Sequence, residues 1–232
     1  MKIFQLLVVS LLYIVIALTA ASGGSPLVFL TGGDPVIVGA ALCFAFIAAC
    51  FILAWATGDY SQTDRLWSVT PIIYTWFFAA RGWPDARLIV MALLVTLWGA
   101  RLTFNFARKG GYTSEEDYRW VVLRKKIPNP FAWQAFNLTF IAGYQHLLVY
   151  LFTLPAYGAC LDRGKPLGPI DAAAAGFFLL LLVLETVADQ QMWRFQNEKK
   201  RIKDSGGALS GDYARGFITT GLFRYSRHPH YF

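Results

Sequence analysis

The sequence predicts an all-α fold, a polytopic transmembrane helical bundle of about six helices with a cytoplasmic N-terminus. Of its 232 residues, 56% are hydrophobic and only 15% are charged, which is less charge than a soluble domain of this length carries. Several apolar runs approach the roughly 20 residues that a helix needs to cross a bilayer. Lys and Arg lie in short segments between these runs, a pattern of membrane topology rather than of nucleic-acid binding.

Six apolar segments form the predicted helices of a single membrane domain. The first is longer than the roughly 7–15 residues of a signal-peptide core, which favours an uncleaved helix. Turn residues separate the segments, as in Gly32-Gly33-Asp34-Pro35 and Gly82-Trp83-Pro84-Asp85. The third segment is short and contains Pro71. The predicted helices cover residues 3–21, 36–56, 66–80, 88–107, 131–157 and 171–193, and residues 194–232 follow as a cytoplasmic segment.

Positive charge predicts the orientation of the chain. With the N-terminus inside, 16 of the 21 Lys and Arg residues fall on the inner side and four in the outer loops. Inner loops of membrane proteins carry this excess. The C-terminal segment is therefore predicted to be cytoplasmic.

The cysteines and histidines do not form a recognisable metal site. Cys43, Cys50 and Cys160 have neither a CxxC spacing nor a Cys/His spacing, so we interpret them as small apolar fillers. His228 and His230 are two ligands without a third nearby. No metal is predicted.

Ionisable side chains within the predicted helices are candidates for function, because each costs roughly 2.5–3.5 kcal/mol at the bilayer centre. Glu185 and Asp189 are four residues apart and share a helix face. Arg101, in the fourth helix, is a candidate counter-charge for this pair, or an arginine that snorkels to the interface. Tyr144 and His146, in the fifth helix, are candidates as well. Hydrogen bonds between helices are the alternative explanation for these two residues.

Basic residues follow the last predicted helix. Lys199-Lys200-Arg201-Ile202-Lys203 is explained either by topology and lipid headgroups or by binding of phosphate, including a 2′-phosphate. The sequence has no Gly-x-Gly-x-x-Gly after a strand, which excludes a Rossmann domain as the binder. Further on, Arg224, Arg227, two tyrosines and two histidines cluster around Pro229.

The final segment, Gly221 to Phe232, reads GLFRYSRHPHYF. It resembles the signature G-L-F-x-x-S-R-H-P-N-Y-x-G-E of the steroid 5-alpha-reductase-like membrane proteins, in particular their bacterial branch of uncharacterised domains. Residues 61–67, 98–120 and 185–195 are similar to that branch as well. His230 stands where the family usually has Asn, and the chain ends before the Gly-Glu pair. We therefore expect a C-terminally truncated chain.

The resemblance implies a multi-helix protein of the bacterial inner membrane that holds NADPH in its cytoplasmic half and admits a lipid-like enone between its helices. The cofactor would donate a hydride to a carbon–carbon double bond conjugated to a carbonyl, while the protein orients both partners. Tyr144 and Glu185 are the candidates for polarising the carbonyl. The predicted cofactor-binding residues are Arg101, Asp189, Arg194, Arg224, Arg227, His228, His230 and Tyr231.

Two other functions stay open. An S-adenosylmethionine-dependent carboxyl methyltransferase of the isoprenylcysteine type shares the R-H-P-x-Y core, although its cofactor needs no phosphate clamp. A non-catalytic membrane scaffold or lipid-binding protein would keep the helices without the chemistry. The predicted partners are a lipid-like substrate and membrane lipids, with no nucleic acid.

Overall fold

The computed structural model describes residues 32–113 and 116–231, and within these ranges it is helical without strands. This confirms the predicted all-α class. The predicted helix 3–21 lies outside the described residues. The described chain divides between residues 167 and 168 into two compact units. The α-helices are α1 Pro35–Thr57, α2 Gln62–Leu66, α3 Thr70–Arg81, α4 Ala86–Arg108, α5 Tyr118–Lys126, α6 Pro130–Phe136, α7 Gln145–Leu161, α8 Pro169–Asp204 and α9 Gly211–Arg215. A π-helix, Asn137–Tyr144, joins α6 to α7, and two 3₁₀ helices cover Gly221–Arg224 and Pro229–Tyr231.

Four helical stretches of the described residues are long and apolar enough to cross a membrane. They are Pro35–Thr57, Ala86–Arg108, Pro130–Leu161 and Pro169–Asp204. Each contains one of the predicted helices. Most of the predicted helix ends lie within a few residues of the ends in the structure. The exception is the last one, which continues 11 residues beyond the predicted end at residue 193.

The helix ends follow from local chemistry. The Asp34 side chain accepts a hydrogen bond from the amide of Val36 at 2.8 Å, and Pro35 occupies the first turn of α1, where its missing N–H costs nothing. Gly58 ends α1 with a φ of 69°, a left-handed conformation that glycine adopts without strain. Asp85 caps α4 by accepting from the amide of Leu88 at 3.1 Å.

The third predicted helix, 66–80, is divided into α2 and α3. Pro71 lies in the first turn of α3, where proline is well tolerated, so it marks a helix start instead of interrupting a helix. With 12 residues, α3 is about 18 Å long, which is less than the hydrocarbon core of a bilayer. It packs against both α4 and α7 and so belongs to the interior of the first unit.

Close helix contacts build the core of the first unit. Tyr74, Phe78, Leu88 and Val149 are buried between α1, α3, α4 and α7. The backbone of α4 closely approaches α3 and the turn before it at Gly99, where an added Cβ would lie 2.5 Å from the carbonyl oxygen of Ser68. Small residues permit such crossings in membrane proteins.

The three cysteines are free and buried. Cys43 and Cys50 belong to the main apolar core of the first unit, as does Cys160, which agrees with their interpretation as small apolar fillers. The Cys50 sulfur lies 3.6 Å from Nε2 of the buried His146. This contact gives His146 a packing role in the bundle interior.

The second unit consists of α8 and the chain that follows it. At 36 residues, α8 is about 54 Å long, roughly twice what the hydrocarbon core requires. Its first half is apolar apart from Asp171 and Glu185, and its other charged residues lie in the second half. The second half therefore emerges from the membrane, and the segment after Asp204 meets it there.

Candidate functional site

The C-terminal segment after Asp204, which we call the tail, folds back onto the second half of α8. Oε1 of Gln191 accepts a hydrogen bond from the amide of Leu222 at 3.1 Å. Gly221, with a φ of 62°, permits this turn, and a Cβ there would lie 2.6 Å from the Gln191 amide. The contact between helix and tail is thus fixed by a polar anchor next to a glycine.

An apolar cluster holds the same two segments together. Ala188 and Phe195 of α8 are buried with Ile218 and Phe223 of the tail. The rings of Phe195 and Tyr213 stack with centroids 5.0 Å apart and planes inclined by 15°. Stacking of this kind adds about 0.5–1.5 kcal/mol to the burial of the rings.

Two cavities lie between α8 and the tail. We call the larger the helix cavity, with a volume of about 780 Å³; its walls include Gln190, Arg194, Glu198 and Arg201 of α8, with Tyr213 of the tail. This volume falls in the range of small-molecule sites.

We call the second the motif cavity, with a volume of about 560 Å³. Met192 of α8 forms one wall, and Arg224, Arg227 and His228 of the terminal motif contribute to the other. Ile218 lines both cavities, so they share a wall. A ligand longer than either cavity could extend past this residue.

The acidic side chains of the helix cavity are compensated within the second unit. Glu198 accepts two hydrogen bonds from Arg201, at 2.9 and 2.6 Å. Asp212 accepts from the amide and the hydroxyl of Thr219, at 2.7 and 2.9 Å, and lies 3.4 Å from Arg215. The bond from the Thr219 amide lowers the pKa of the Asp212 carboxyl, so this group is ionised at neutral pH.

We expect the Asp212→Asn variant to loosen the tail at neutral pH. A carboxyl whose pKa is lowered on folding contributes stability above its ordinary value, here 3.8, and loses the contribution as the pH falls through the lowered value. Amide hydrogen exchange at Thr219 should be faster in the variant, by roughly tenfold at most. The difference from the wild type should vanish in acid. Equal protection of Thr219 in both proteins at pH 7 would contradict this.

The predicted cofactor residues of the C-terminal half lie around these cavities. Arg194 lines the helix cavity, and Arg224, Arg227 and His228 line the motif cavity. The His230 ring lies beside those of Phe223 and His228, with centroids 6.0 and 5.9 Å away. Tyr231 ends the 3₁₀ helix that packs against α8.

The other predicted residues lie elsewhere. Glu185 and Asp189 are half-buried on α8, one turn apart, but do not line either of the two cavities. Arg101, on α4, and Tyr144, at the end of the π-helix, belong to the first unit. The Tyr144 side chain is 53% exposed and stacks on Phe140, with ring centroids 5.5 Å apart.

Sequence reasoning missed several cavity residues. Gln190, Asn197 and Glu198, which were not predicted as site residues, line the helix cavity together with Arg194 and Arg201. Arg201 belongs to the basic run for which phosphate binding is one of the two interpretations. The spacing of Gln190, Arg194, Asn197 and Arg201, three to four residues, places them on one face of a helix. This spacing can be read from the sequence. The predicted last helix ended at residue 193, however, so the residues beyond it were not assigned to a helix face.

A second polar cluster organises the loop between α4 and α6 in the first unit. Arg65 is 5% exposed and forms a 2.7 Å ion pair with Asp59. Its guanidinium also donates to the carbonyl oxygens of Gly111 and Thr113, at 3.3 and 3.0 Å. In return, the Tyr112 hydroxyl donates to the carbonyl of Arg65 at 3.1 Å. These bonds attach the start of the loop to α2.

The end of the same loop is attached through Asp64. Nε1 of the buried Trp120 donates to the Asp64 carboxylate at 2.6 Å, and Arg119 forms an ion pair with it at 3.2 Å. Burial raises the pKa of Asp64, against the effect of these two donors. Arg124 pairs with Glu116, and its guanidinium lies 4.7 Å from the Tyr60 ring centroid. Residues 61–67 and 116–120, both part of the resemblance described above, are thereby brought together.

Comparison with known proteins gives a family but no established activity. The family described as "Protein of unknown function (DUF1295)" matches residues 50–232. An uncharacterised protein of the fission yeast Schizosaccharomyces pombe is 37% identical over 210 residues, which cover 85% of this chain and 61% of the yeast protein. The chain therefore spans less than two thirds of the length of this relative. No solved structure matches it significantly.

Proposed function

Because this chain belongs to that family of unknown function, we propose its activity from its own residues: a membrane-embedded, NADPH-dependent reductase of a conjugated carbon–carbon double bond in a lipid-like substrate. One observation carries the proposal. Arg224, Arg227 and His228 of the terminal motif line a cavity against α8. The likeness of this motif to the signature of the steroid 5-alpha-reductase-like proteins supports the same cofactor.

The side chains around the two cavities fit a phosphate-bearing dinucleotide. Guanidinium groups bind phosphates through paired hydrogen bonds, and Arg224, Arg227 and Arg194 are exposed at the cavity walls. The carboxylates of Glu198 and Asp212 can accept bonds from ribose hydroxyls. Two cavities that share a wall also suit a ligand with two halves.

The position of Glu185 suggests how the site could be divided between cofactor and substrate. Glu185 precedes Arg194 by nine residues on the uninterrupted α8, which corresponds to about 13 Å along the helix axis towards the apolar half. NADPH, when bound, supplies the hydride. The arginines would orient it at the membrane surface, while Glu185, in its protonated form, would donate a hydrogen bond to a carbonyl in the apolar region.

We expect Arg227→Ala to weaken NADPH binding by roughly 10- to 100-fold, since a hydrogen bond to a charged group contributes about 1.5–3 kcal/mol. The measurement is a titration of the detergent-purified full-length protein with NADPH, NADH and S-adenosylmethionine. Arg163→Ala is the matched control, because Arg163 is exposed in the loop between α7 and α8. It should leave binding unchanged.

The same titration separates the alternatives. Binding of S-adenosylmethionine alone would replace the reductase with the methyltransferase, whose cofactor also carries ribose hydroxyls for the carboxylates of the helix cavity. If none of the three ligands binds, the scaffold or lipid-binding function takes its place. Preference for NADPH over NADH would support contacts to the 2′-phosphate.

The proposed site faces the cytoplasm, where the positive charge of residues 194–232 is expected to lie. The bacterial inner membrane stays a prediction from the resemblance, since a similar protein occurs in a fission yeast.

A further inference from the structure

We propose that α5 and the π-helix form a binding site for one anionic phospholipid, with an acyl chain in the groove between them and the headgroup at the basic end of α5. The groove has a volume of about 380 Å³ and is lined by Tyr118, Arg119, Trp120, Val122, Leu123 and Phe140. It lies entirely within the first unit and is independent of the proposed reductase site.

The connections of α5 hold it at the membrane surface. Its nine residues extend about 13 Å, too short to cross a bilayer. It is nevertheless joined by short segments to α4 on one side and to α6 on the other, and both of these belong to stretches that can span the membrane. A helix tethered in this way lies at the interface between hydrocarbon and water.

The orientation of α5 is fixed by the bundle. Trp120 is 4% exposed and bonded to Asp64, and Leu123 packs against the cluster that contains Trp133. Val122 remains 47% exposed on the groove side. The groove is therefore a built feature with a fixed wall rather than a gap beside a loose loop.

The groove extends from the surface helix into the membrane. Phe140 lies ten residues into the stretch Pro130–Leu161, and its side chain is 42% exposed at the groove. Apart from the guanidinium of Arg119, the lining is hydrocarbon or aromatic. A free phosphate would find little to bind there, whereas an acyl chain can reach both ends.

Charge selects the headgroup. Within Tyr118–Lys126 there are four cationic residues and no acidic one. Arg119 and Arg124 form ion pairs with Asp64 and Glu116, and the exposed Lys125 and Lys126 end the helix as its basic end. A cation at a helix C-terminus is favourable in itself, and clustered lysines at a membrane surface attract anionic lipids. The combination of an apolar groove with a basic end fits a phospholipid of net negative charge.

The test measures lipid retention by native mass spectrometry of the detergent-purified full-length protein, mixed with equal amounts of dioleoylphosphatidylglycerol and dioleoylphosphatidylcholine. We expect preferential retention of phosphatidylglycerol. Lys125→Glu/Lys126→Glu should reduce it by roughly fivefold or more per lysine. Val122→Trp, which fills the groove, should abolish retention of the diacyl lipid while the basic residues stay in place.

Arg163→Glu/Lys165→Glu is the matched control, since it makes the same charge change in the loop between α7 and α8. It should retain the lipid as the wild type does. Equal retention of the two lipids, an equal loss in the control pair, or full retention by Val122→Trp would each overturn the proposal. Glycerol 1-phosphate should not compete; if it displaces the lipid, the site recognises phosphate alone and the groove has no part. NADPH binding is not measured, so the outcome is separate from that of the reductase proposal.

Discussion

Replacement of Arg65 by alanine is expected to destabilise the first unit by about 3–5 kcal/mol, the cost of removing one partner of a buried ion pair. The variant would leave the Asp59 carboxylate, now 2.7 Å from the Arg65 guanidinium, without its cation. The carbonyls of Gly111 and Thr113 would lose their donors as well. The free energy of unfolding, measured by denaturant titration in mixed micelles, checks this expectation.

Two further variants define the cause of the loss. Arg65→Lys keeps the positive charge, but lysine lacks the planar guanidinium that bonds one carboxylate and two carbonyls at the same time. We therefore expect an intermediate loss of stability. Arg163→Ala removes an exposed arginine from another loop and should change stability by no more than about 0.5 kcal/mol. A loss below about 1 kcal/mol in Arg65→Ala would show that the bonds from α2 to the loop contribute little.

Gly99→Ala is expected to cost about 1–3 kcal/mol, as overpacking of a filled interior does. The new methyl group would lie 2.5 Å from the Ser68 carbonyl oxygen and 2.7 Å from Cδ1 of Ile72. The side chain of Ile72 can rotate away, but the Ser68 carbonyl is backbone and requires α4 to move. Ser68 also bonds to Thr103 at 2.8 Å, so the same movement would stretch this bond.

Gly158→Ala serves as the matched control for the glycine substitution. Gly158 lies in α7, and a Cβ there would meet nothing within 4 Å. In such a position alanine should stabilise the helix by about 0.5–1 kcal/mol through its higher helix propensity. Thermal unfolding of both variants in the same detergent gives the comparison. A stabilising shift in both variants would mean that helix propensity, not the crossing at Gly99, governs the result.

The sequence predicted the membrane helices well because one property decides them. A stretch of some 20 apolar residues has no stable alternative to a helix in hydrocarbon, and caps such as Asp34 and Asp85 mark their starts. The end of α8 was harder to predict, because most of residues 194–204 are charged or polar and show no apolar run. Helix propensity and contacts with the tail continue the helix there, and neither is visible in a hydropathy pattern.

Contacts between distant residues account for most of what could not be predicted. Asp64 and Trp120 are 56 positions apart, and Arg65 and Thr113 are 48 apart. Such pairs depend on how α1 to α4 pack, which periodicity does not give. The terminal motif was recognisable from its residues alone, whereas the Gln191 anchor and the division into two cavities depend on how the tail turns at Gly221.

The continuity of α8 has a mechanical consequence. The helix runs from Pro169 to Asp204 without a break, so its apolar half and the half that carries the cavity walls move as one rigid rod. A helix tilts when the bilayer becomes thinner than its hydrophobic length. A change of lipid thickness would therefore swing Arg194 and the tail attached around it. The thickness of the host membrane would in this way change the geometry of the candidate site without binding of any ligand.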